Sequence, residues 1–141
     1  MSELAGTKGR RARPQYRNIH VSQILQYRLP AAGMVSILHR VSGALMFLLG
    51  LPFALYLFQQ SITSEISFDS YREIVASVPG RLALVVLAWA YLHHFCAGIR
   101  YLLLDLHVGV DKDRARASAQ IALGTSLVLT ALVALKIFGV F

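Results

Sequence analysis

Three stretches of this sequence are too long and too apolar to sit in a water-soluble domain of its size. They run from about Ala31 to Phe58, from Leu82 to Leu104 and from Ala117 to Phe141. About 20 apolar residues cross the hydrocarbon core of a bilayer, and each stretch reaches that length. Lipid offers a main-chain N–H or C=O no partner, so each stretch must satisfy its own backbone as an α-helix. Composition agrees, with 56% of the 141 residues hydrophobic and 15% charged. A soluble domain is about half apolar and a quarter charged. The expected fold is an all-α membrane protein with three transmembrane helices. The first stretch begins too far from the N-terminus, and too polar, for a cleaved signal peptide.

The net charge of +7 follows from the same plan and needs no nucleic acid. Residues 1–30 form a basic segment with Lys8, Arg10, Arg11, Arg13, Arg17 and Arg28 against Glu3 alone; residues 31–141 form the three-helix domain. The first loop mixes Arg72 and Arg81 with Glu65, Asp69 and Glu73, while the second carries Lys112, Arg114 and Arg116. By the positive-inside rule the N-terminus and second loop are cytoplasmic, or on the matrix side in a mitochondrion. The N-terminal arginines also suit an anionic lipid surface.

Between the first two spans, "ISFDSYREIVASVPG" reads as a short helix starting at Asp69 or Ser70 and broken by Pro79–Gly80. Cys96 is the sole cysteine, so no disulfide forms within the chain. Small residues Ala117, Gly124 and Ala131 form a stripe on the third span that suits close helix contact. A soluble catalytic domain has nowhere to fold, so any chemistry belongs to the spans or to partners.

Polar residues inside the spans therefore carry the functional signal. "SILHRVSG" places Ser36, His39, Arg40 and Ser42 near the start of the first span. A central arginine costs at least about 2.5 kcal/mol on insertion, so it faces protein, water or an acidic ligand, unless it snorkels to the interface. Ser36 and Arg40, four residues apart, share a helix face, with His39 on its flank. Together they suit a carbonyl or carboxylate ligand. In the second span, "YLHHFCAGIRYLLLD" holds His93, His94, Arg100 and Asp105. A histidine at mid-membrane can ligate iron, transfer protons or hydrogen-bond a neighbouring helix. Only one of two adjacent histidines can face a given partner. Gly98, one turn after His94, removes a side chain where a flat ring could lie. Arg100 and Tyr101 sit nearer the cytoplasmic end, where propionates could be neutralised, and Arg100 can also pair with Asp105.

The two stretches "RPQYRNIHVSQILQYRLPAAGMVSILHRVSG" and "HFCAGIRYLLLD" strongly resemble the cytochrome b subunits of succinate dehydrogenase, respiratory complex II. The resemblance runs from about Arg13 to the end. Its motifs are S-x-x-H-R-x-S-G entering the first span and H-x-x-x-G-x-R in the second. It implies that His94, four before Gly98, is an axial ligand of haem b, with the other ligand from a second small membrane subunit. It implies that Ser36 and Arg40 help form the ubiquinone site, that His39 lies near a haem propionate, and that Arg100 is the motif's arginine. Many members follow that arginine with a histidine near the haem, where this sequence has Tyr101.

The implied activity is succinate oxidation at a flavoprotein subunit, with electrons passing through an iron–sulfur subunit to ubiquinone in the bacterial inner membrane. This chain has no dinucleotide fingerprint and too few cysteines for a cluster, as befits an anchor. A haem-free structural anchor, a fumarate reductase anchor and a small transporter are the rival readings.

Overall fold

The structure is a computed structural model that describes residues 20, 22 and 26–140. The basic side chains from Lys8 to Arg17 lie outside the described residues. Pro30, with φ −64° and ψ 156°, starts the first helix. Its carbonyl accepts from the amides of Gly33 at 2.9 Å and Met34 at 3.1 Å. Helix α1 spans Ala31–Leu45 and passes through a π-helical turn, Met46–Gly50, into α2, Leu51–Thr63. Pro52 accounts for that turn. It has no N–H for the Leu48 carbonyl, and its ring crowds that group; a wider turn just before it relieves the crowding.

The combined span, Ala31–Thr63, ends at Thr63 rather than near Phe58. Its 33 residues reach about 50 Å at ~1.5 Å per residue. That exceeds a hydrocarbon core of about 30 Å, and its last turns carry Gln59, Gln60 and Ser61.

Helix α3, Glu65–Ala76, begins earlier than apolar spacing alone indicates, because Ser64 supplies a reciprocal cap. Ser64 Oγ accepts from the Ser67 amide at 3.1 Å, and Ser67 Oγ accepts from the Ser64 amide at 2.9 Å. Asp69 and Ser70 therefore lie inside the helix. The break expected at Pro79–Gly80 falls instead at Ser77, whose hydroxyl accepts from the Gly80 amide at 3.1 Å and caps α4, Val78–Asp105. Pro79 sits in the first turn, where its missing N–H costs nothing. Gly80 is required there: a Cβ would collide with the Ile74 carbonyl. After the turn 106–111, helix α5 runs over Lys112–Ile137.

Helices α1, α4 and α5 form the bundle, each touching the other two. Its core is small: Val35, Ala97 and Ala119 are fully buried, with Ala31, Ala32, Tyr101 and Leu123 packed around them. Alanines at the centre let the helices approach closely, as they must where lipid removes the hydrophobic drive between them. The stripe Ala117, Gly124 and Ala131 does not pack against α1 or α4 of this chain. All three are exposed, and a Cβ at Gly124 would meet nothing within 4 Å. Ala119, Ala122 and Ser126 are buried instead.

Candidate functional site

Residues 93, 97 and 100 of α4 are buried on the side facing α5. Residues 94, 98 and 101, about 100° further round the helix, face α1. The two histidines of the doublet thus enter different seams.

His93 is completely buried. Its Nδ1 lies 3.3 Å from Ser126 Oγ on α5, and the Trp89 ring stacks beside it at 5.7 Å. Its Nε2 is buried without a hydrogen-bond partner among the described residues.

His94 is half-buried against α1. Its Nδ1 lies 3.0 Å from the His39 carbonyl and 3.3 Å from Ser42 Oγ. A carbonyl oxygen can only accept, so the assigned proton is on Nδ1. Ser42 Oγ donates to the same carbonyl at 2.9 Å and can share the Nδ1–H. Both hydrogen bonds of the ring are at Nδ1, which leaves the Nε2 lone pair free. This is the arrangement of a metal-binding histidine: one nitrogen anchored to a carbonyl, the other available as a ligand. Gly43 makes the approach possible, since a Cβ there would lie 3.0 Å from His94 Cε1 and 3.3 Å from Nδ1.

The His39 ring stacks on His94, centroids 4.0 Å apart and planes 14° from parallel. It also fills the space beside Gly98, where a Cβ would lie an ordinary 3.7 Å from His39 Nε2. Tyr101 lies 5.2 Å from His39, ring to ring, and its buried hydroxyl has no partner among the described residues. Arg100 Cζ stands 5.2 Å from the Tyr101 centroid. The Arg100 hydrogen bonds go to α5: Nε to Ser118 Oγ at 3.1 Å and Nη2 to the Ala115 carbonyl at 3.2 Å. Of the roles open to Asp105, pairing with Arg100 does not form, since five residues along a helix is about 140° of rotation; Asp105 is exposed at the helix end, where solvation or a neighbouring chain can meet it.

Ser36 is half-buried and Arg40 exposed. Among the described residues neither makes a hydrogen bond or an ion pair. On α1 they share the face that continues round from His39 and Gly43. The structure therefore brings His39, His94 and Gly98 together, places Ser36 and Arg40 on the adjoining open side, and turns Arg100 toward α5. Sequence reasoning missed Ser42 and Gly43 as the seat of His94. The signal was present in the Ser-Gly pair three and four residues after His39. It also missed the α5 hydroxyls Ser118 and Ser126, spaced about two turns apart like Arg100 and His93.

No three His, Cys, Asp or Glu side chains converge as a metal site among the described residues. A metal ion bound by His94 would need its remaining ligands from outside the described residues, and a haem would supply them. The anchored imidazole, its free nitrogen and the close glycine fit such a group.

Residues 10–133 match the family described as succinate dehydrogenase/fumarate reductase transmembrane subunit. The chain is 32% identical over 115 residues to the succinate dehydrogenase cytochrome b556 subunit of Paracoccus denitrificans, covering 82% of this chain and 87% of that protein. It is 31% identical over 97 residues to the protein of the same name from Coxiella burnetii, covering 68% and 77%. With the one from Rickettsia felis it shares 26% over 106 residues, covering 75% and 82%. Three apolar helices, the two polar motifs and these matches lead to one conclusion: the chain belongs to the succinate dehydrogenase/fumarate reductase transmembrane subunit family.

Proposed function

We propose that this chain is the haem b-bearing membrane anchor of a succinate:ubiquinone oxidoreductase and helps form its quinone site. The observation that carries the reading is His94, whose Nδ1 is tied to the His39 carbonyl while Nε2 remains open. The word cytochrome in the names of the relatives supports the same cofactor. Haem b supplies a one-electron centre within the membrane.

This chain's own work is to hold and orient. His94 would hold the haem iron through Nε2, and Ser42 and Gly43 fix where its ring lies. His39 would answer propionate charge, Gly98 makes room for the His39 ring, and Arg100 is held to α5 by its bonds to Ser118 and Ala115. The other iron ligand would come from a second small membrane subunit. An iron–sulfur subunit and a flavoprotein subunit dock on the cytoplasmic face of a bacterial inner membrane, where the basic N-terminus lies.

Ser36 and Arg40 receive the quinone. The Ser36 hydroxyl donates to a quinone carbonyl. The Arg40 guanidinium, with no other partner among the described residues, stabilises negative charge developing on the oxygen as it is reduced. A hydrogen bond is worth about 0.5–1.5 kcal/mol between neutral groups and about 1.5–3 with a charged one, and each 1.4 kcal/mol is about tenfold in rate. Ser36→Ala should therefore slow quinone reduction up to about tenfold, and Arg40→Leu by about ten- to a hundredfold. Both should leave succinate oxidation intact with an artificial acceptor that draws on the soluble subunits. The check is to compare the two acceptors on assembled complex of equal haem content. Normal quinone rates in both variants would remove Ser36 and Arg40 from the quinone site and make Arg40 a snorkelling anchor.

A further inference from the structure

We propose that the groove between α4 and α5, at the end carrying the 106–111 turn, binds an anionic phospholipid. The starting point is a buried cation without an anion. Arg100 keeps only 6% of its exposure, and both its hydrogen bonds end on neutral acceptors, a serine hydroxyl and a main-chain carbonyl. Among the described residues no carboxylate lies within ion-pair distance of it; Asp111 pairs with Arg114 at 3.8 Å. A guanidinium has five N–H donors, so two bonds leave donors over and the charge uncompensated. Within a membrane span such a group is met by a protein anion, water or an acidic ligand.

The space beside Arg100 matches an amphiphile. A groove of about 520 Å³ opens there, lined along its length by Cys96, Ile99, Leu103, Ile121 and Thr125. Arg100, Arg114 and Ser118 also line it. The long wall is thus apolar, as an acyl chain requires, and the cations gather toward the turn. Arg100 lies five residues before the end of α4, roughly 8 Å at ~1.5 Å per residue, and a side chain of its length spans that distance toward a headgroup. Arg114, 77% exposed, stands at the start of α5 and adds a second positive charge. Two arginines, of which only Arg114 has a carboxylate beside it, favour a head of net negative charge over a zwitterionic one.

The test uses the whole complex, reconstituted in vesicles of phosphatidylcholine with a minority of phosphatidylglycerol. A photoreactive benzoylphenylalanine replaces Ile121, which lines the groove and is 67% exposed. A second preparation carries it at Leu127, exposed on α5 and outside the groove. After illumination, mass spectrometry identifies the adducts. The expected result is a phospholipid adduct at position 121 enriched in phosphatidylglycerol, with the adduct at 127 matching the vesicle. Arg114→Gln should cut the enrichment by about fivefold, the effect of one basic side chain near an anionic lipid surface. Because Arg114 is exposed, this variant keeps the fold. An adduct to another polypeptide at 121 would overturn the proposal by placing a subunit in the groove. A lipid adduct matching the bulk composition, or no adduct, would overturn it equally.

Discussion

His93 and His94 are neighbours in sequence and opposites in structure. His93 enters the seam between α4 and α5, where it is completely buried and lies 3.3 Å from Ser126 Oγ. His94 enters the seam between α4 and α1, where a carbonyl holds one nitrogen at 3.0 Å and the other stays open. The α5 seam closes on its polar residues with hydroxyls and completes the bundle. The α1 seam meets its histidine with a glycine and leaves one side free. A histidine in a membrane helix thus takes its surroundings from the seam it enters, and about 100° of helix rotation separates a ring that ties two helices from one with a nitrogen left open.

The comparison can be broken at each seam. The largest effect is expected at Gly43. A Cβ there already lies 3.0 Å from His94 Cε1, and a branched side chain would occupy the ring's position. Gly43→Val should lose most of the haem from assembled complex, measured as haem per flavin. Full haem content in that variant would mean that the ring's seat against α1 is unimportant.

The next effect lies in the other seam and is of a different kind. Ser126→Ala removes the hydroxyl beside His93, and hydrogen bonds between membrane helices average about 0.6 kcal/mol, with a maximum near 1.7. It should lower thermal stability slightly and leave the haem spectrum unchanged. A shifted spectrum would show that the α5 seam bears on ligation.

The smallest effect is expected for Ser42→Ala. The shorter bond from Nδ1 to the His39 carbonyl remains, and only the hydroxyl at 3.3 Å is lost. An acceptor at Nδ1 makes the imidazole more basic and so favours oxidised iron. Its loss should raise the haem potential by less than about 60 mV, the one-electron equivalent of a tenfold change. A redox titration measures this, and a lowered potential would contradict the assigned hydrogen bond.

The spans were legible in the sequence because hydropathy and length suffice for them; their ends were less so. Thr63 and Ser64 depend on a reciprocal serine cap, and Ser77 on a single hydroxyl, details that apolar periodicity does not encode. Within the site, residue types were legible and their directions only partly so. Ser36, His39, Arg40 and His94 could be placed on faces from spacing. Arg100 could not, because its bonds depend on Ser118 and Ala115 of a helix whose rotation the sequence leaves open. The same holds for the small stripe of α5, where Ala117, Gly124 and Ala131 were as plausible by spacing as Ala119, Ala122 and Ser126.

The central claim, that His94 and not His93 offers iron its nitrogen, is tested most directly by one spectrum on two variants. His93→Leu and His94→Leu are each assembled with the other subunits, and the reduced-minus-oxidised optical difference is recorded. A wild-type low-spin haem band is expected in His93→Leu, and its loss or strong perturbation in His94→Leu. A normal band in His94→Leu with a lost band in His93→Leu would contradict it and move the ligand to the α5 seam.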